Sequence, residues 1–502
     1  MNTPTKGDWQ RTSPFAVLFF VGKIVRIITQ NAWQSIAPLF VYASVSEKDL
    51  VTSIIYGGVA LMAVIVIGSV LSWLFFRYQI LDDSVLIRSG VMKKKQLDIK
   101  FDRIQGVNTE QNPVYRFLNL VTVTFDTAGS AGNEGNLPAV TREFANALRK
   151  QIGGARKVDP EAESDEEQDQ ELLLKLDWRD MIRIGLADRR ALIVFALIGP
   201  LIEQMGDEIE RYAERAVLSF AASATQIGVS NGILIGFGLT VALFLLFAFV
   251  SIAAAFLRYH NFELYLDGRT LRSNGGLLTR QEHSMDLEKI QTLRLQQGIV
   301  QIWLRRFTMT ARQATSGRKH GGKKKMFSIP VVTAEQAGVL RPLLFAGEAG
   351  RLTQDPRQET YLPVSKHYMR SHILFVGLLP TLAFAALFAG EFGPLGFAGL
   401  IWLPLVAALS WRNWKRAGYA YDNDEIVRRS GLFGWRTVSL LFRKVQRVTV
   451  TQSRYQRRKD LASLKMYMAS GTVSIPYIDL KNAQQLRDFI LYRVESSTRA
   501  WH

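Results

Sequence analysis

Apolar stretches long enough to cross a bilayer alternate along this chain with stretches in which charged and apolar positions interleave. Residues 54–76 contain no charge, and neither do residues 231–257; about 20 apolar residues suffice for a helix to span. A third apolar region, 373–390 and 394–411, is broken by Glu391 and Gly393. Residues 32–45 and 191–202 are apolar but short, and read as tilted spans, re-entrant segments or interfacial helices. The pattern predicts up to six spans in three hairpins. Basic-apolar segments precede each hairpin, at 15–30, 177–190 and 363–372. The first two read as amphipathic helices on the membrane surface, or as extensions of the spans that follow.

Each hairpin is followed by the same ordered set of signals. An aromatic, strand-like run comes first, at 76–81, 257–262 and 418–421. A turn follows in which Gly90, Gly276 or Gly431 supplies positive φ between two strands. Next comes a basic-apolar-Gln triplet, carried by Arg103 and Gln105, Lys289 and Gln291, and Lys444 and Gln446. A further strand is expected at 120–125, 307–311 and 464–468. A closing helix is expected to begin near Thr141, Thr333 and Asp479. The order, in three copies, marks a duplicated unit. The fold class is therefore an α+β multipass membrane protein: three transmembrane helical hairpins, each followed by a small, partly open β-barrel capped by a C-terminal helix.

Charge adds orientation. The loops inside the first two hairpins are acidic, whereas residues 77–152, 258–345 and 412–494 carry net charges of +3, +9 and +11. By the positive-inside rule the three β-rich domains and the N-terminus face the cytoplasm, and hairpins keep all three domains on one side. The expected organisation is an amphipathic segment and first hairpin over 1–76, a first domain over 77–152 and a linker over 153–176. A second hairpin spans 177–257, a second domain 258–345 and a linker 346–363. A third hairpin spans 364–411 and a third domain 412–495. The first linker is expected to be flexible, because eight acids between 153 and 172 face only Arg156 and Lys157. The early Lys23 and Arg26 leave no convincing cleaved signal.

The turn Arg88-Ser89-Gly90, its counterpart Arg429-Ser430-Gly431 and the three triplets resemble the bacterial membrane-flanked PH-like proteins of the YdbT type, as does Leu295-Gln296-Gln297-Gly298. The resemblance covers nearly the whole chain. It implies a pleckstrin-homology-like barrel in each copy, a small YdbS-like PH-domain membrane protein as partner, and protection against membrane-active peptides. It supplies no catalytic residues. The first copy departs most from the pattern, being only mildly basic.

Little in the sequence suggests chemistry. The absence of cysteine excludes disulfides, thiolate metal sites and cysteine nucleophiles. No two histidines stand at metal-ligand helical spacing beside an acid. Gly317 to Lys323 meets the spacing of a phosphate loop, but Lys324 replaces the required Ser or Thr, and a strand rather than a helix follows. No catalytic residue, metal or cofactor is expected, and nucleic-acid binding lacks the stacking aromatics it needs. Three basic loops remain as candidate contacts for anionic lipid or an acidic protein face: Lys93, Lys94 and Lys95; Arg318, Lys319, Lys323, Lys324 and Lys325; and Arg454, Arg457, Arg458 and Lys459. The alternative for these loops is the ordinary topology bias of a membrane protein. The expected function is a non-enzymatic inner-membrane scaffold that presents three PH-like domains to lipid or a protein partner. A subunit of an export or resistance complex, and an orphan enzyme, are the alternatives. Nothing fixes the oligomeric state.

Overall fold

A computed structural model describes residues 8–30, 50–91, 93–127, 135–155, 171–188, 231–313, 326–345, 352, 361–392 and 400–497. The segments 32–45 and 191–202, most of the first linker, and Arg318, Lys319, Lys323, Lys324 and Lys325 lie outside the described residues.

The first copy runs α1 (Val17–Gln30), α2 (Leu50–Leu74), β1 (Arg77–Ile80), β2 (Ser84–Ser89), β3 (Lys95–Lys100), β4 (Ile104–Gln111), β5 (Leu120–Thr127), β6 (Gly135–Thr141) and α3 (Arg142–Ala155). The second runs β7 (Glu171–Lys175), α4 (Trp178–Ala187), α5 (Asn231–Tyr259), β8 (Glu263–Asp267), β9 (Thr270–Gly275), β10 (Arg280–Asp286), β11 (Ile290–Gln297), β12 (Phe307–Gln313), β13 (Phe327–Val332) and α6 (Ala334–Leu344). The third runs β14 (Leu362–Pro363), the helical run His367–Leu387, α7 (Trp402–Arg416), β15 (Gly418–Tyr421), β16 (Glu425–Ser430), β17 (Trp435–Leu441), β18 (Arg447–Thr451), β19 (Leu461–Met468), β20 (Gly471–Asp479) and α8 (Leu480–Glu495).

Each copy thus holds two antiparallel three-strand meanders and a closing helix. The turn glycines explain why the first meander closes alike each time. Gly90, Gly276 and Gly431 have φ of 108°, 115° and 143°. A Cβ on any of them would come within 2.1–2.2 Å of the carbonyl oxygen three residues on. The closing helices begin where expected, and Thr333 caps α6 by accepting from the Gln336 amide at 3.1 Å. The run 257–262, expected as a strand, is instead the end of α5 and a turn. Apolar residues carry the helix through to Tyr259, and Asn261 then reverses the chain at φ 49°.

The chain divides into two compact units: 1–172 with 264–286 and 315–323, and the remainder. In the first unit α1 lies on α2, with Phe20 against Phe76 at 5.7 Å between ring centroids. One core cluster there joins both meanders of copy one to α3 through Val85, Phe101, Phe125, Leu137 and Leu148. In the second unit α4 starts at Asp177, whose carboxylate caps the helix. It packs on α5 where Ser251 donates to the Gly185 carbonyl at 2.5 Å; a Cβ on Gly185 would lie 2.5 Å from the Ile252 backbone. The core of copy three, with Leu440, Phe442, Leu464, Ile475 and Ile490, also belongs to this unit. Among the described residues one helix, His367–Leu387, is long and apolar enough to cross a membrane; shorter apolar stretches are Leu61–Leu74 and Phe244–Tyr259.

The sheets do not respect the copies. In the first unit the order is β6-β5-β4-β10-β9-β8, so the second meander of copy one continues into the first meander of copy two. In the second unit the order is β13-β12-β11-β17-β16-β15-β14, and copy two continues into copy three in the same way. The β1-β2-β3 and β18-β19-β20 sheets are left as separate three-stranded pieces.

Candidate functional site

The residues marked out by the sequence fall in different places. Arg103, Lys289 and Lys444 each end a 3-10 turn between the meanders. Lys444 is 1% exposed and donates from Nζ to the Glu288 carbonyl at 2.6 Å, a structural role. Gln291 is buried, and Gln446 is exposed with its backbone N–H on the Tyr467 carbonyl. Lys93, Lys94 and Lys95 stand exposed at the β2–β3 hairpin. Arg454 and Arg457 sit on a short helix capped by Ser453, with Arg458 and Lys459 following, all exposed. These two loops belong to different units, and each is a solvent-exposed cluster.

A more concentrated set of charges lies on the shared sheet of the second unit. Side chains alternate between faces along a strand. One face carries Leu293, Leu295, Met309, Ala311, Thr437 and Ser439, all buried. On the other face Arg294 stands opposite Thr310 on β12 and opposite Val438 on β17. Val438 also faces Arg428 on β16, Gln296 faces Arg436, and Thr292 faces Arg312. Four arginines from four strands, two from each copy, therefore converge on one side of one sheet. At ~4.8 Å per strand their guanidinium groups lie within mutual reach.

The electrostatics fit that convergence. Burial, and then Arg312, Arg436 and Arg428, push the Arg294 pKa down to about 10. Burial followed by Arg436 lowers Arg312, and burial lowers Arg428. Among the described residues none of the four forms an ion pair with a carboxylate. Among the described residues the Arg294 Nε is buried with no hydrogen-bond partner, and Arg312 donates to the Met326 sulfur alone, at 3.2 Å. Arg436 is exposed and the other three are half-buried, so the face is open on one side. Four cations held together without an acid favour a bound oxyanion, which each planar fork can grip through two N–H groups.

The fold does not require these charges. The equivalent positions on the shared sheet of the first unit are Asn108, Asp126, Ser273 and Gln281. There Asn108 donates to the Asp126 carboxylate at 2.6 Å and accepts from the Ser284 amide at 3.0 Å, a closed network. The sequence offers no clear signal for the arginine face, because its members sit up to 142 residues apart (Arg294 to Arg436) and only the strand register joins them. Nor does it mark the arginine on each closing helix. Arg149 of α3 meets Glu282 of the next copy at 3.2 Å, and Arg341 of α6, at the equivalent position, meets Glu425 of the next copy in a buried pair.

A family model described as the bacterial PH domain matches residues 18–156, 219–346 and 374–494. The chain is similar to the transmembrane protein YdbT of Bacillus subtilis, with 24% identity over 480 residues, 92% of this chain and 93% of YdbT. It is also similar to the transmembrane protein YdbS of the same bacterium, with 30% identity over 83 residues, 16% of this chain and 50% of YdbS.

Proposed function

The chain belongs to the bacterial PH domain family, as a YdbT-like transmembrane protein with three copies of that domain, and from that premise we propose that it is a non-enzymatic scaffold whose PH-like copies bind phosphate-bearing anionic headgroups. The observation that carries this reading is the arginine face of Arg294, Arg312, Arg428 and Arg436, which has no carboxylate partner among the described residues. The two most basic copies supply it. In the proposed topology three membrane hairpins hold the domains on the cytoplasmic side of a bacterial inner membrane, each hairpin followed by a PH-like barrel. Charges near an anionic surface each contribute ~1 kcal/mol, so four gripping one headgroup exceed what loop lysines give singly. The similarity of a shorter relative, YdbS, supports a small PH-domain membrane protein as a partner.

The test uses the full chain released from membranes containing equal phosphatidylglycerol and phosphatidylcholine. Native mass spectrometry should find phosphatidylglycerol retained in preference. Arg294→Gln with Arg436→Gln should reduce that retention roughly tenfold or more, from ~1 kcal/mol per charge. Equal retention of the two lipids, or no effect of the pair, overturns the proposal.

A further inference from the structure

The two shared sheets are built by one rule. In each, the first strand of a copy's second meander pairs with the third strand of the next copy's first meander: β4 with β10, and β11 with β17. The registers are the same. When the copies are aligned on Gly90, Gly276 and Gly431, and on Arg103, Lys289 and Lys444, the pair Thr109↔Glu282 becomes the pair Leu295↔Thr437. Each junction is also clamped by the arginine of the closing helix, Arg149 or Arg341, on a carboxylate of the incoming meander.

Two internal junctions use two of the three first meanders and two of the three second meanders. What remains is β3 at one end and β18 at the other. Among the described residues β3 pairs only with β2, and β18 only with β19. Their side chains register the missing neighbour. Leu293 and Leu295 of β11 are 1% and 5% exposed, whereas their equivalents Val448 and Val450 are half-buried. Thr437 and Ser439 of β17 are 1% and 0% exposed, whereas Gln96 and Asp98 of β3 are exposed. Among the described residues the third closing-helix arginine, Arg487, pairs only with its own neighbour Asp488, at 2.7 Å.

We infer that β3 of one chain adds to β18 of a second copy of this chain, antiparallel and in the internal register: Gln96↔Val450, Leu97↔Thr449 and Asp98↔Val448. The two unpaired edges are the two sides of a junction the chain already makes twice, which singles out a second copy as occupant. The lysine at the β3 edge is accommodated by the same rule. Lys95 is the equivalent of Arg436, which already stands opposite Gln296, and it would face the uncharged Thr451. Gln96 occupies the Glu282 position, so its amide oxygen faces Arg487 where the first junction has a carboxylate. Strand addition of this kind draws its affinity from main-chain hydrogen bonds. Because the joined surfaces differ, the contact is heterologous and repeats into rings or rows. It is independent of the anion-binding reading.

The absence of cysteine makes the register directly testable. Differently tagged Gln96→Cys and Val450→Cys full-length chains, produced in one membrane, can be linked to each other only between molecules. Residues directly opposite in an antiparallel pair have Cα atoms ~4.5–5.5 Å apart, within disulfide range. Mild oxidation should give a doubly tagged product in several-fold higher yield than Leu97→Cys with Val450→Cys, a slip of one residue that turns the side chain to the other face. Gln96→Glu, tested with Asp98→Cys in the same chain against Val448→Cys, should raise the linked fraction by restoring the clamp. Gln96→Lys with Asp98→Lys, both exposed positions, should convert the native assembly to monomers by mass photometry. Absence of the linked product, equal yield from the slipped pair, a monomeric native chain, or a different polypeptide linked at Val450 in place of Gln96 would each overturn the inference.

Discussion

The shared sheets of the two units have the same strand order at their junctions and the same register, yet opposite chemistry on one face. In the first unit that face holds Asn108 and Asp126, which satisfy each other at 2.6 Å. In the second it holds Arg294 and Arg312 at the equivalent positions, with Arg428 and Arg436 beside them and no acid among the described residues. One sheet thus forms without these charges, and under the proposed function the other keeps them for a bound anion. The helix clamps differ as well. Glu282 is partly open to solvent and shared by Arg149, Arg142 and Thr109, while Glu425 is 0% exposed and, among the described residues, Arg341 is the one cationic side chain it pairs with.

That contrast can be broken most severely at Arg341. Arg341→Met strands the Glu425 carboxylate in the interior, and should cost ~3–5 kcal/mol. Thermal unfolding of the full chain in detergent should show it, whereas Arg149→Met should cost about half as much because Glu282 keeps Thr109 and Arg142. Equal losses would mean that the two clamps are energetically alike. The next largest effect belongs to the turns. Gly431→Ala forces a Cβ against the Gly434 carbonyl at φ 143°, with an expected loss of ~1–3 kcal/mol in the same assay.

Transplanting one face onto the other sharpens the comparison. Arg294→Asn with Arg312→Asp copies the first unit's network into the second. It should leave the melting temperature within the ~0.5 kcal/mol scatter of tolerated surface changes, while removing preferential retention of phosphatidylglycerol. Unfolding of this variant would show that the arginines serve the sheet itself. The smallest effect is a pH dependence at Glu282. Burial raises its pKa, but Arg149, Thr109 and Arg142 outweigh burial and hold it below the usual carboxylate range. Its contribution is therefore present above the unfolded value of ~4.3 and is lost as pH falls through the lower folded value. Glu282→Gln should flatten the acid limb of the stability profile, and an unchanged limb would assign that limb to other carboxylates.

Local pattern carried part of this fold. Gly90, Gly276 and Gly431 announce their turns because no other residue type enters that backbone region easily, and Thr333 announces its helix by capping it. Residues 257–262 misled for a related reason: aromatic and apolar residues suit a strand, but here they end a long apolar helix. Pairing between copies has no local signature. Thr109 and Glu282 are ordinary strand residues, and only tertiary structure sets them side by side. The arginine face was illegible for the same reason, whereas the loop clusters were conspicuous because their charges are contiguous in sequence.

Sharing strands across copies moves the natural cutting points of the molecule. A fragment ending at residue 345, after the second closing helix, would strip β11 of its neighbour β17 and expose a long edge. The frame that preserves every edge instead breaks within a copy, after Asp286 or after Leu441, where one meander ends and the next has not begun. Excising residues 287–441 would bring β10 directly before β18, an equivalent succession of halves with one junction fewer. A shortened or lengthened version of this protein is thus best designed by splicing between meanders, not at the linkers that sequence composition advertises.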